Sequence, residues 1–233
     1  EKDEYPAAKV HFDRAIDLLP KPAGRNSKLI ESELNYYTAV CAAKLNYPIA
    51  EEKLNYYIQN GLSADHIKSA HFFLGSIYFK QGQYSKVVEN FKKADVTLLS
   101  RKDRETYQFQ YGYSLFVTNN YAEAQKYLKP LLSNQKGNYY HDAVYYIALI
   151  DFKNKEYEDA EKGFLKVENV DKYRYQIPFL LSQVYYQQKQ YNKVITYAEP
   201  KLAFSDQNVD QMSHSVGQSY FELGNYKKAI GYL

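Results

Sequence analysis

Five histidines and one cysteine are the side chains of this sequence best suited to hold a metal or act as a nucleophile. His11, His66, His71, His141 and His214 are scattered without ligand spacing, and no second cysteine completes a Cys/His zinc pattern. Cys41 stands alone in the apolar run Ala39-Val-Cys-Ala-Ala43, the setting of a buried, inert thiol. A lone cysteine excludes an intrachain disulfide and leaves the compartment open. The carboxylates Glu156, Glu158, Asp159 and Glu161 are close enough in sequence to suggest general acid/base work. They also fit the first turn of a helix, where negative charge meets the positive end of the dipole, and that reading accounts for them without chemistry. There is no glycine-rich phosphate loop, no H-E-x-x-H and no calcium-loop spacing. The expectation is therefore a protein without enzymatic activity, metal or cofactor.

What must position any functional surface is set by composition and pattern. The chain has 233 residues and a net charge of only +3, with 45% hydrophobic residues, so it has material for a sizeable core and is not disordered. Its longest apolar stretch, Tyr145–Ile150, is far shorter than the roughly 20 residues of a membrane-spanning helix. Thirty basic residues face 27 acidic ones, and only five of the basic ones are arginine, which argues against nucleic acid as a partner. The unusual feature is 27 tyrosines and 12 phenylalanines with no tryptophan.

The tyrosines recur with a period. Tyr5, Tyr47, Tyr84, Tyr121, Tyr157, Tyr191 and Tyr226 are each followed three residues later by Ala or Val, at spacings of 42, 37, 37, 36, 34 and 35. Between them the apolar residues have helical period, as at Leu74, Ile77 and Tyr78 and then at Val87, Val88, Phe91 and Ala94, with Gln81-Gly-Gln83 breaking the run. Pro6 and Pro48 follow their tyrosines directly, where a first-turn proline is tolerated. Each unit reads as helix–turn–helix, and the chain as all-α. Pro130 and Pro200, late in second helices, should shorten or kink them. Gly75, Gly112 and Gly217 are expected to let each first helix approach an Ala- or Val-bearing second helix.

These residues resemble the tetratricopeptide repeat family. The best copy reads Leu74-Gly75, Tyr78, Gly82, Tyr84, Phe91 and Ala94, and the last reads Val216-Gly217, Tyr220, Gly224, Tyr226, Ala229 and Leu233. The first reads Ala8, Phe12, Ala15 and Pro20. The resemblance implies a single array folded as a right-handed superhelical solenoid of helix–turn–helix units. Residues 1–19 would supply half a repeat, 27–62, 65–97, 101–134, 138–169 and 172–203 five full repeats, and 207–233 a truncated one. Both ends cutting through a repeat, the sole methionine being Met212, the expectation is a piece of a longer protein.

The same resemblance assigns the first helices to a concave face. Projecting them inward points to Phe72, Phe73, Ser76 and Phe79; to Phe109, Gln110, Tyr113 and Phe116; to Tyr145, Tyr146, Leu149 and Phe152; and to Phe179, Gln183 and Tyr186. Aromatic, nearly uncharged walls would suit an apolar or extended peptide, although aromatic stripes on helices also pack as core. The carboxylate clamp of chaperone-binding relatives needs Lys, Asn and Arg at inward sites, and here those sites carry Phe, Tyr, Ser and Gln. The expected function is a protein- or peptide-binding scaffold, the alternative a structural spacer or oligomerisation segment. Glu33–Ala43, the tyrosine-rich first helices and Tyr197–Leu202 also resemble the N-terminal region of large exported repeat proteins of Bacteroidetes, which implies a periplasmic or outer-membrane-associated location.

Overall fold

The computed structural model describes residues 4–19, 24–204 and 208–233. Among them every regular element is helical. Residues 20–23, which hold most of the Pro20–Gly24 loop and the first copy's Pro20, lie outside the description, as do residues 1–3 and 205–207.

The chain forms two compact units, one ending at Tyr127 and the other beginning at Leu128. The first contains α1 (Glu4–Asp17), α2 (Arg25–Lys44), α3 (Ala50–Asn60), α4 (Ala64–Lys80), α5 (Tyr84–Phe91) and α6 (Arg101–Val117). Helix α7 (Tyr121–Leu128) carries the boundary. The second contains α8 (Tyr140–Lys153), α9 (Tyr157–Val167), α10 (Ile177–Gln187), α11 (Tyr191–Ala198), α12 (Val209–Glu222) and α13 (Tyr226–Ala229). Within each unit a helix packs on the one before it and the one after. The first helix of a pair also touches the next first helix, α2 on α4, α4 on α6 and α10 on α12. A helix pair cannot bury its apolar faces alone, so stability comes from this stacking.

The turn inside each pair has one construction. Gly82 at φ 71° bonds its N–H to Phe79 O at 3.1 Å, and Gln83 N–H reaches Tyr78 O at 2.9 Å. This left-handed cap satisfies two carbonyls that a helix end leaves unpaired. Asn46, Asn119, Lys155, Lys189 and Gly224 hold the same conformation with the same two bonds. A lysine there carries a penalty of about 1 kcal/mol that glycine escapes. In five turns the left-handed residue precedes the recurring tyrosine by two positions. In the first turn it is Asn46, directly before Tyr47. Tyr47 thus follows its left-handed residue one position sooner than the other tyrosines, while Ala50, three residues after it, is buried like Val87 and Ala124, so the helix keeps the register of the repeat.

Pro130 and Pro200 end their helices as their chemistry requires. Helices α7 and α11 stop at Leu128 and Ala198, and 3-10 turns over Lys129–Ser133 and Glu199–Phe204 follow. A glycine expectation needs correction. A Cβ on Gly75 would lie 2.3 Å from the ring of Phe91, so this glycine makes room for an aromatic ring and not for Ala or Val. Gly217 likewise faces Leu233 and Tyr232, both at 2.9 Å. The closest helix approach not foreseen is in α9, where a Cβ on Gly163 would lie 2.6 Å from Ala148 Cβ.

Candidate functional site

Two of the scattered chemistry-bearing residues are accounted for by packing. Cys41 is buried, and burial pushes its thiol pKa up, away from the reactive thiolate. His71 is buried too, with Nδ1 at 2.9 Å from Asn90 Oδ1. Among the described residues no cluster of three His, Cys, Asp or Glu side chains could hold a metal ion, and no helix is long and apolar enough to cross a membrane.

The residues projected inward from the first helices separate into three kinds. Phe72, Phe73, Phe109, Gln110 and Tyr145 are buried. Phe72 stacks on Phe91 at 5.8 Å between centroids and meets Tyr107 at 6.4 Å, while Lys44 Nζ sits 5.2 Å above Phe73. Tyr145 stacks on Tyr173 at 4.2 Å and donates to Gln176 Oε1 at 2.9 Å. These side chains hold neighbouring helices together. Gln110 Oε1 and Ser76 Oγ are buried polar atoms without a hydrogen-bond partner.

The second kind guards the turns. Phe79, Phe116, Phe152 and Tyr186 each lean across the turn on the tyrosine five residues later. Their centroids are 5.9, 5.7, 5.7 and 5.7 Å from Tyr84, Tyr121, Tyr157 and Tyr191. Phe221 and Tyr226 repeat the contact at 5.2 Å. Edge and tilted contacts of this kind are worth about 0.5–1.5 kcal/mol beyond the area they bury. They explain why a tyrosine recurs at this position. Tyr113 joins the cluster, 5.5 Å from Phe79 and 5.3 Å from Tyr84, and hydrogen bonding with Tyr113 raises the Tyr84 phenol pKa. Tyr146 meets Tyr145 edge-on at 5.2 Å, and Leu149 is half-buried.

The third kind borders open space. A cleft of about 490 Å³ lies between α10 and α12, within the range usual for ligand pockets. Helix α10 contributes Phe179, Gln183, Tyr186 and Gln187, and α12 contributes Asp210, Gln211, His214, Ser215 and Gln218. Gln183 Nε2 donates to Ser215 Oγ at 2.6 Å, which ties the two walls together at the cleft floor. Burial, then the charge of Glu222, then Tyr191 push the Tyr186 phenol pKa up, so it stays a neutral donor at ordinary pH. The structure therefore brings together Phe179, Gln183 and Tyr186 of the projected set. The five residues of α12 were not foreseen. The signal was present, because moving Phe179 and Gln183 forward by the 35 residues between Tyr191 and Tyr226 lands on His214 and Gln218.

Comparison with known proteins bears on the repeats and the fold. Residues 69–95 and 110–173 match two tetratricopeptide repeat models. In those residues the chain carries tetratricopeptide repeats. No curated protein matches it in sequence. Among solved structures, the apo form of RapI is similar over 99% of this chain and 73% of its own, with a TM-score of 0.61 at 15% identity. At that identity the likeness is one of fold. The apo form of the quorum sensor NprR from B. thuringiensis aligns over 96% of this chain and 70% of its own, with a TM-score of 0.44 at 16% identity. The repeats make the helix pairs, and the side chains of α10 and α12 make the cleft.

Proposed function

We propose that the protein is a non-enzymatic scaffold that binds an extended segment of a protein or peptide in the cleft between α10 and α12. The observation that carries this is the wall chemistry. Phe179 and Tyr186 offer ring surface, while Gln183, Gln187, Gln211 and Gln218 offer amides that both donate and accept. That combination matches a peptide, whose backbone alternates donors and acceptors and whose side chains need pockets. Helix α10 has 11 residues. At about 1.5 Å per residue it could lie along about five extended residues at 3.3 Å each.

Panning a displayed library of random dodecapeptides against the purified chain tests the reading. Enriched peptides should lose at least tenfold in affinity for a Tyr186→Ala, Gln218→Ala variant. An absence of enrichment, or peptides that bind the variant equally well, would overturn it.

A second reading, a spacing or self-associating segment, draws support from the apolar residues exposed on α12, on α13 and after it. Phe221, Tyr226 and Ile230 are 54, 59 and 80% exposed, and grouped exposure of this kind marks interaction surfaces. Sedimentation across a hundredfold range of concentration distinguishes the two, since a monomer throughout would exclude self-association. The resemblance to exported repeat proteins adds a cell-envelope location, which fractionation of the native organism would check.

A further inference from the structure

The charge around the cleft narrows the class of partner. None of the chain's 30 lysines and arginines is among the described residues that line it. The one carboxylate of the lining is Asp210, exposed in the first turn of α12. At the other end of the same helix stands Glu222, also exposed, whose charge contributes to raising the Tyr186 phenol. A 14-residue helix places these two carboxylates about 18 Å apart along its axis. That span equals about five residues of extended chain. His214 lies between them and is the one imidazole among the described lining residues.

We infer that the cleft selects a basic peptide segment, with a Lys or Arg near each end and apolar or amide-bonding residues between. The inference rests on the peptide-binding reading above and specifies its ligand. The cationic ends would meet Asp210 and Glu222, and the middle would lie on Phe179 and Tyr186 with its backbone bonded to Gln211 and Gln218. An acidic segment would bring like charges together at both ends, which disfavours it. Because both carboxylates are exposed, the selection is a screened, salt-dependent one.

Three fluorescent heptapeptides of one apolar and amide framework test this, differing only in having Lys, Gln or Glu at both the first and seventh positions. Anisotropy titration of the full chain in 50 mM NaCl should show the Lys peptide binding at least tenfold tighter than the Glu peptide, with the Gln peptide between. The gap should shrink severalfold in 500 mM NaCl. An Asp210→Asn, Glu222→Gln variant should bind all three alike, at the affinity of the Gln peptide for the parent chain. Its melting temperature and helical circular dichroism establish that it is folded. Asp210→Asn and Glu222→Gln taken singly serve as the fallback if the pair is not. Equal binding of the three peptides by the parent chain would overturn the charge selection and leave the peptide-binding reading standing. A preference that survives the double substitution would place its origin outside the cleft and overturn the inference as well. Binding of none of the three would count against both readings.

Discussion

Helices α4 and α6 in the first unit and α10 and α12 in the second are the same structural pair with opposite outcomes. Both present a Phe and, seven residues on, a turn-guarding aromatic from the leading helix, Phe72 and Phe79 in one and Phe179 and Tyr186 in the other. The following helix decides what becomes of them. Helix α6 offers Phe109 and Tyr113, which close on Phe79 at 6.3 and 5.5 Å. The corresponding places on α12, by the recurrence of the tyrosines, are His214 and Gln218, and there a cleft remains. An aromatic stripe in this fold is therefore not in itself a binding surface. It borders open space where the next repeat fails to supply rings to cover it.

The largest expected effect tests whether the two stripes differ in kind. Phe91, fully buried, is the hub on which Phe72, Tyr107 and Tyr111 converge. Phe91→Ala should cost about 3–5 kcal/mol, the usual result of emptying a core phenylalanine site. Phe179→Ala, at a half-buried cleft residue, should cost less than about 1 kcal/mol and chiefly weaken peptide binding. Urea denaturation of both variants checks the contrast, and equal destabilisation would break it.

Next in size is Gly75→Ala. Its Cβ would fall 2.3 and 2.4 Å from two carbons of the Phe91 ring, and a ring held by three others cannot swing aside. Overpacking of this sort costs about 1–3 kcal/mol, more than the roughly 1 kcal/mol by which alanine improves a helix over glycine. Gly217→Ala meets Leu233 and Tyr232 at 2.9 Å. Both follow the four-residue helix α13, and Leu233 is 64% exposed. The clash is with aliphatic carbons at 2.9 Å and not with a packed ring at 2.3 Å, so the melting temperature should fall less.

How much of this could be read beforehand follows from where the information resides. The helix pairs were legible because each repeat restates the same rule, so seven imperfect copies reinforce one another. Pro130 and Pro200 acted as proline must. Tyr47 keeps a buried Ala50 three residues on, as the pattern requires, and what the pattern could not show is that its turn is one residue shorter, with the left-handed Asn46 directly before it. The cleft was half legible. Phe72 and Phe179 occupy corresponding positions in sequence, and nothing local distinguishes a ring packed on Phe91 from a ring beside a cleft. The difference depends on the rings that face it, Phe91 on the partner helix and Tyr107 one repeat later, which a helix-by-helix projection does not weigh. Gly75 was misread for the same reason, since its partner across the pair is the large Phe91 and not the small residue that family grammar leads one to expect.

A smaller effect, about 1 kcal/mol, separates two glutamines. Gln110 is buried with its Oε1 unpaired, and an orphaned polar atom of this kind carries a desolvation cost without a compensating bond. Gln110→Leu should therefore leave stability unchanged or raise it by about 1 kcal/mol. Gln183→Leu removes the bond to Ser215 Oγ and one amide from the cleft, so it should lower stability by about 1 kcal/mol and weaken peptide binding as well. Thermal melts should show Gln183→Leu lowered and Gln110→Leu not lowered, and a fall in both would contradict the assignment of one to core and the other to cleft.

The smallest expected change in stability is also the sharpest test of the comparison. If the cleft is open because α12 carries His214 and Gln218 where α6 carries Phe109 and Tyr113, then His214→Phe with Gln218→Tyr should convert the second pair into a copy of the first. The new rings would reach Tyr186 as Phe109 and Tyr113 reach Phe79, at a gain of about 0.5–1.5 kcal/mol per aromatic contact, partly offset by the side-chain entropy lost in ordering them. The net change in melting temperature should be slight and upward. Peptide binding should disappear, although Asp210 and Glu222 are untouched, because the space between them is filled. A variant that still binds peptide at parental affinity would show that the missing rings are not what makes the site.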